Sequence, residues 1–201
     1  MKTTTSPRLA RALVLASGSA YRRALLERLG LPFTVAVPAI DESPQPDEAP
    51  ADTAVRLAEA KARGVAGAHP DALIIGSDQV ADFHGTAVGK PRDPADALEQ
   101  LRAMQGRTIV FHTGLALLDA RSGLCRRALV DVASTFRQLD DAALTAYLER
   151  DRPYDCAGSV KIETLGIALF TRVASDDPTA LIGLPLIRLT DMLIAEGLQP
   201  L

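Results

Sequence analysis

Residues 73–80 have the sequence LIIGSDQV, and this stretch decides the fold. The apolar run 73–75 is typical of a buried β-strand. It leads directly into Gly76, Ser77 and the acidic residue Asp78. Ligands of open α/β sheets bind at the carboxyl ends of strands, so an acid at such an end is well placed for chemistry. Asp and Gly also form turns, and a strand-end turn is the alternative interpretation.

A strand, a small polar loop and a helix start also lie near the amino terminus. Residues 13–16 predict a strand, Ser17 and Ser19 stand in the loop after it, and residues 22–29 have helical periodicity. Hydroxyls and backbone N–H groups at a helix N-terminus form a ready anion site. Arg22 in the first turn opposes the helix dipole, a cost that a facing anion would explain. The alternative is a solvated basic turn.

The composition indicates a globular domain with no attraction for polyanions. The chain has 201 residues, of which 47% are hydrophobic and 23% charged, and its formal net charge is −3. A chain of this length can bury a substantial core as one domain. A negative net charge provides no basic field for nucleic acid. No apolar run has the length of a membrane span or of a signal-peptide core, so we expect a cytoplasmic protein without membrane contact.

Helical and strand patterns alternate in the first half of the chain, and strands dominate its middle. A hairpin turning at His84-Gly85 follows the central strand, and Asp52 is expected to cap a helix. The fold class predicted from this order is α/β, with a mixed sheet and flanking helices. We predict further strands over 33–37, 108–118, 124–136 and 166–173, and further helices over 53–66, after Asp93-Pro94, after Asp140 and after Ile182.

Several charged side chains near these predicted elements are candidate site residues. Asp41 and Glu42 follow the second strand and are the acids of that loop that we consider as metal ligands. Lys61 lies at the border of the apolar face of the next helix, where a lysine is usually solvated. Lys90 follows the predicted hairpin and could point back towards Asp78. No histidine lies in a metal-binding motif, so a metal would be held mainly by carboxylates, which favours magnesium or manganese.

Six short motifs occur along the chain in a fixed order. They are LASGS at 15–19 with Arg22, Asp41-Glu42, Glu59-Ala60-Lys61-Ala62, Gly76-Ser77-Asp78, Gly89-Lys90-Pro91 and Ala157-Gly158-Ser159. Each motif is weak alone, but their order resembles the Maf nucleoside triphosphate pyrophosphatases, which are related in fold to the inosine triphosphate pyrophosphatases. The resemblance runs from about residue 13 to residue 197. It implies one Maf-like domain over residues 1–201, with two lobes, a central cleft and a loosely ordered segment at 1–11.

The resemblance also implies an activity, the hydrolysis of a nucleoside triphosphate between its α and β phosphates. Such enzymes use a divalent cation, Mg²⁺ or Mn²⁺, which by analogy is bound by Glu42 and Asp78. Asp78 is also the base that activates water. An α-phosphorus shielded by anionic oxygens is attacked only when cations withdraw that charge, and water needs a base close by. The residues that by this analogy hold the triphosphate are Ser17, Ser19, Arg22, Lys61 and Lys90.

Three residues resemble the subfamily that acts on 7-methyl-GTP, a house-cleaning role in nucleotide metabolism. Tyr21, Gln79 and Glu163 stand where thymidine/uridine-type members have part of an SPRR run, a hydroxyl residue and a glutamine. One carboxylate can accept both N1–H and the 2-amino group of guanine, whereas glutamine suits a thymine or uracil edge. The 7-methyl group makes the base cationic, which favours Glu163 and stacking on Tyr21.

Other functions remain open at this point. A pyrophosphatase of the dTTP/UTP type or of the inosine type would share the chemistry and prefer a different base. A non-catalytic nucleotide-binding regulator of cell division would bind nucleotide without releasing pyrophosphate. In each case the partner is a small nucleotide rather than a nucleic acid or a membrane. The apolar hairpin and the last helix could supply the face of a homodimer.

Overall fold

The computed structural model describes residues 11–201. Its central element is a mixed sheet of seven strands. The strand order is β2-β1-β3-β5-β6-β7, with β4 beside β3. Strand β1 pairs in parallel with β2 and β3, and all other pairings are antiparallel. This mixed sheet confirms the predicted fold class. These strands are β1 (Leu13–Leu15), β2 (Thr34–Val35), β3 (Leu73–Phe83), β4 (Thr86–Val88), β5 (Thr108–Asp119), β6 (Cys125–Phe136) and β7 (Phe170–Ala174).

Five α-helices flank the sheet within the described residues: α1 (Ala20–Glu27), α2 (Pro50–Ala66), α3 (Pro94–Met104), α4 (Asp141–Asp151) and α5 (Leu186–Ala195). Asp93 and Asp140 accept backbone N–H groups at the starts of α3 and α4, as predicted. The predicted cap at Asp52 is wrong. Helix α2 begins earlier, at Pro50, because proline fits the first helical position, and Asp52 lies inside the first turn.

The central strand does not end at Asp78, which corrects the first expectation from the sequence. Strand β3 continues beyond Asp78, because β5 pairs with it antiparallel and places Gly114 opposite Asp78. The parallel neighbour β1 ends at Leu15, opposite Ile75. Asp78 therefore lies beyond the carboxyl end of a parallel strand and inside an antiparallel ladder.

The predicted strand over 166–173 is also wrong in its first half, where the chain forms a 3₁₀ helix over Leu165–Leu169. The backbone N–H of Gly166 donates to the Lys161 carbonyl at 3.1 Å and to the Asp151 carboxylate at 3.2 Å, so it is not free to join a strand ladder. Strand β7 begins only at Phe170.

Helix α2 lies unusually close to the sheet, and two glycines allow it. A Cβ atom on Gly76 would lie 2.0 Å from the carbonyl oxygen of Ala58, and one on Gly114 would lie 2.1 Å from that of Ala54. Real Cβ atoms do not approach backbone oxygens so closely, so any side chain would push the helix away from the sheet. The small helix residues contribute as well, since Ala54 and Ala58 are fully buried.

The hydrophobic core divides along the long strands. At the start of β3, helices α1 and α5 cover one face of the sheet and α2 covers the other. At the far ends of β3, β5 and β6, α3 and α4 cover a separate cluster around Ala81 and Phe111. This division corresponds to the two predicted lobes, and Asp78 lies between them along β3.

Residues 1–10, which hold most of the segment expected to be loosely ordered, lie outside the described part. Arg11, the last residue of that segment, forms an ion pair with Asp119 and donates to the carbonyl of Ala72 at 3.4 Å. Within residues 11–201, no helix combines the length and the hydrophobicity that a membrane crossing requires.

Replacing Gly114 with alanine should lower the free energy of unfolding by about 2–3 kcal/mol, because the added methyl group overlaps the backbone of α2. Urea denaturation followed by circular dichroism measures this change. Gly67→Ala is the matched control, since Gly67 has a φ of −60° at the end of the same helix and a Cβ there meets nothing within 4 Å. Equal stability of the two variants would contradict the close approach.

Candidate active site

A buried ion pair between Lys61 and Asp78 forms the centre of the site. The ammonium of Lys61 donates to Oδ1 of Asp78 at 2.7 Å and to Oε2 of Glu42 at 2.8 Å. The side chains of Lys61 and Asp78 are only 7% and 11% exposed, whereas that of Glu42 is 55% exposed. The general expectation of a solvated lysine is therefore wrong here, because α2 carries Lys61 onto Asp78. A buried ammonium requires such carboxylate partners.

Glu42 and Asp78 are the carboxylates that could hold a divalent cation. Both accept hydrogen bonds from the same ammonium, so their oxygens converge. Among residues 11–201, no group of three or more acidic, histidine or cysteine side chains is arranged to hold a metal. Two hard oxygen donors nevertheless fit Mg²⁺, which proteins often bind through one or two carboxylates with substrate phosphates and water. Asp41 is engaged elsewhere, because it accepts from Ser43 and this hydrogen bonding lowers the pKa of Asp41.

Arg22 brings a second cation to Asp78. Its Nη2 lies 4.0 Å from Oδ1 of Asp78, its Nη1 donates to Oγ of Ser17 at 3.4 Å, and its Nε donates to the carbonyl of Gly183 at 2.9 Å. Burial lowers the pKa of the Arg22 guanidinium, and the negative charges of Asp78 and Glu42 oppose that shift. An arginine remains charged even so, so the site contains one buried and one partly buried cation.

The predicted anion site at the start of α1 has its two hydroxyls in place. Ser17 is buried just after β1, and its Oγ accepts from the backbone N–H of Ser19 at 3.2 Å. Ser19 is the N-cap of α1 and accepts from the backbone N–H of Arg22 at 3.4 Å. The first turn of the helix therefore presents backbone N–H groups, hydroxyls and a guanidinium together.

Tyr21, also in the first turn of α1, contacts the loop that carries Glu163. The Nζ atom of Lys161 lies 5.4 Å from the centroid of the Tyr21 ring. Interaction with the Tyr21 side chain raises the pKa of Lys161, and loss of solvation raises the pKa of Glu163. Tyr21 and Glu163 could be grouped from the sequence, but Lys161 was missed, because its only signal was a charge near the end of a loop of small residues.

Gln79 does not face the same side of β3 as Asp78, because side chains alternate along a strand. Its amide nitrogen donates to the carbonyls of Ala180 at 2.9 Å and Leu181 at 3.1 Å. Ser77 lies on that side too, and its hydroxyl donates to the carbonyl of Gly183 at 2.9 Å. The amide nitrogen of Gln79 also donates to Oγ1 of Thr113 at 3.0 Å, so it is bound to the main chain and to a buried hydroxyl, neither of which its motif indicated.

Lys90 is exposed in the loop after β4, and no ion pair joins it to Asp78 or to another acid within the described residues. The neighbouring carbonyl of Gly89 accepts instead from the backbone N–H of Gly158 at 3.2 Å. This hydrogen bond joins the loop of Lys90 to the Ala157–Ser159 turn. The Gly89-Lys90-Pro91 and Ala157-Gly158-Ser159 motifs therefore contact each other rather than the ion pair of Lys61 and Asp78.

These groups can perform a definite piece of chemistry. Lys61, Arg22 and the helix N-terminus can bind an anion such as a phosphate. Asp78 lies in contact with those cations and can accept a proton from a water molecule held beside the anion. The site is therefore suited to hydrolysis at a phosphate.

Comparison with known proteins gives consistent results. Residues 12–196 match the family model described as Maf-like protein. A protein of Ralstonia nicotianae named 7-methyl-GTP pyrophosphatase is 60% identical, over 90% of this chain and 93% of that protein. Proteins of the same name from Aromatoleum aromaticum and Cupriavidus pinatubonensis are 56% and 55% identical, over 92% and 98% of this chain and 96% and 97% of their own. As the motifs predict, this chain belongs to the Maf-like protein family.

Proposed function

We propose that this protein hydrolyses 7-methyl-GTP to 7-methyl-GMP and pyrophosphate, and so removes a modified nucleotide. The observation that carries the proposal is the 2.7 Å contact between Lys61 and Asp78, which places a general base against a phosphate-binding cation. The names of the relatives, at up to 60% identity, support the choice of substrate.

In this proposal the triphosphate lies along the start of α1. Ser17, Ser19 and backbone N–H groups donate to phosphate oxygens, and Arg22 and Lys61 neutralise their charge. Lys90 approaches from the exposed loop after β4 and completes the set. A divalent cation, Mg²⁺ or Mn²⁺, bound by Glu42 and Asp78 would withdraw further negative charge from the phosphates.

Asp78 acts as the base. Its Oδ1 faces the cations, since it accepts from Lys61 and lies 4.0 Å from Nη2 of Arg22, and it would also face the divalent cation. Oδ2 is then the oxygen available to accept the proton of a water molecule. The oxygen of that water attacks the α-phosphorus, and the bond to the β-phosphate oxygen breaks. Pyrophosphate leaves, and Arg22 and Lys61 stabilise the charge that develops on it.

The base of the nucleotide stacks on Tyr21, and Glu163 accepts its N1–H and 2-amino groups. A cationic 7-methylguanine gains more from both contacts than a neutral base does. Gln79, which the motifs group with these two residues, acts on the bound substrate without contacting its base. The main-chain contacts of its amide nitrogen indicate that it does so indirectly.

Asp78→Asn should lower kcat for 7-methyl-GTP by about 10²–10⁴-fold, the range for loss of a general base. The assay measures pyrophosphate and monophosphate separately, with Mg²⁺ or Mn²⁺, on 7-methyl-GTP, GTP, UTP, dTTP and ITP. Asp82→Asn is the matched control, because Asp82 lies on the same strand and pairs with His112 rather than with a cation of the site. Turnover retained in a folded Asp78→Asn variant would refute the assignment of the base, and a preference for UTP or dTTP in the wild type would refute the substrate.

Glu163→Gln should lower kcat/KM for 7-methyl-GTP by about tenfold or more, because hydrogen bonds to a charged group are lost. The value for UTP should change much less. The same kinetic assay measures both substrates, and an unchanged substrate ranking would contradict the role of Glu163.

The advantage of wild type over Glu163→Gln should also shrink as the pH falls. A raised pKa means that Glu163 takes up its proton at a higher pH than an ordinary glutamate, and the protonated form accepts fewer hydrogen bonds. The negative charge of Asp155 contributes to the raised pKa of Glu163. In Asp155→Asn, the pH at which Glu163 is protonated and the advantage is lost should therefore be lower. Rate profiles of the three proteins from about pH 4, near the ordinary glutamate pKa, to about pH 8 measure the effect. An advantage of wild type that is independent of pH would contradict it.

A further inference from the structure

A short turn, formed by the 3₁₀ helix Ala180–Ile182 and Gly183, contacts both the central strand and Arg22. We call it the 180–183 turn. The carbonyl of Gly183 accepts from Nε of Arg22 at 2.9 Å. It shares the single hydroxyl hydrogen of Ser77 with the carbonyl of Gly114, the two carbonyl oxygens lying 2.9 and 2.8 Å from Oγ. Ser77 is fully buried and cannot reach a nucleotide. The carbonyl that orients Arg22 is therefore itself held by β3.

Gln79 and Thr113 hold the beginning of the same turn. The amide nitrogen of Gln79 donates to the carbonyls of Ala180 and Leu181 at 2.9 and 3.1 Å, and the hydroxyl of Thr113 donates to Ala180 at 3.0 Å. The N–H of Gly183 donates to the same Ala180 carbonyl at 2.9 Å. A shift of Ala180 would therefore move Gly183, whose φ of +112° few other residues adopt.

We propose that Gln79 and Ser77 are positioning residues, which act on the substrate through the 180–183 turn and Arg22. This inference rests on the proposed function, in which Arg22 binds the triphosphate. The amide nitrogen of Gln79 is held by the carbonyls of Ala180 and Leu181 and by the hydroxyl of Thr113, so Gln79 affects turnover without touching the base. A hydroxyl residue at this position is too short to reach both carbonyls, and the turn, with Arg22, would take another position.

A ligand without a base separates this inference from direct base recognition. Gln79→Met keeps the length of the side chain and removes its donors, so its affinity for inorganic tripolyphosphate with Mg²⁺ should fall by about two- to tenfold. Ser77→Ala should give a similar loss. Ser134→Ala should bind like wild type, because Ser134 is a buried hydroxyl without a hydrogen-bond partner in the described range 11–201. Titration calorimetry measures all four proteins, and circular dichroism checks their folding.

A double-mutant cycle with Arg22→Lys gives the second measurement. Lysine lacks the Nε donor, so in that background Gln79→Met should change tripolyphosphate affinity by less than about twofold. The ratio of kcat/KM for 7-methyl-GTP to that for GTP should stay the same in Gln79→Met as in wild type.

Three outcomes would overturn the inference: unchanged tripolyphosphate affinity in Gln79→Met, a full effect in the Arg22→Lys background, or a changed ratio between the two nucleotides. Coupling as expected, in a wild-type protein that releases no pyrophosphate from any nucleotide, would overturn the proposed function alone. A wild-type protein that releases pyrophosphate from 7-methyl-GTP but has no affinity for tripolyphosphate would overturn the inference alone.

Discussion

The contact between α2 and the central strands is the constraint on which the site depends. A helix can approach the sheet so closely only because Gly76 and Gly114 have no side chains. That approach places Lys61 on Asp78, and the carboxylate in turn makes a buried ammonium tolerable. Three consecutive residues of β3 therefore have three different roles. Gly76 lets α2 pack closely on the sheet, Ser77 contacts the 180–183 turn, and Asp78 faces the cations.

The parts of the fold that depend on local sequence could be predicted. The caps at Asp93 and Asp140 and the hairpin turning at His84-Gly85 have short-range signals, and the structure confirms each of them. The errors arose where a distant partner decides the outcome. Strand β3 continues past Asp78 because β5 pairs with it, and the hydrogen bonds of Gly166 to Lys161 and Asp151 delay the start of β7. Neither partner can be identified from the pattern of the segment itself.

In the candidate site, too, some groupings could be predicted from the sequence and others could not. Motif order was enough to group Asp78, Lys61 and Glu42, and the structure brings these three side chains into contact. The partners of Gln79 could not be predicted, because they lie about a hundred residues away and are main-chain carbonyls, which no residue type specifies. The contact of Lys161 with Tyr21 was missed for the same reason, since a lysine in a loop gives no sign of a distant aromatic ring.

The shared ammonium of Lys61 has an electrostatic consequence. Lys61 and Arg22 carry two positive charges, and Asp78 and Glu42 carry two negative ones, so this group of four is neutral before a ligand arrives. A bare triphosphate would meet no surplus of counter-charge there, and its own charge would remain uncompensated. A nucleotide that arrives with a divalent counter-ion leaves less of its charge uncompensated. The neutral group therefore favours the metal-bound nucleotide over the bare one.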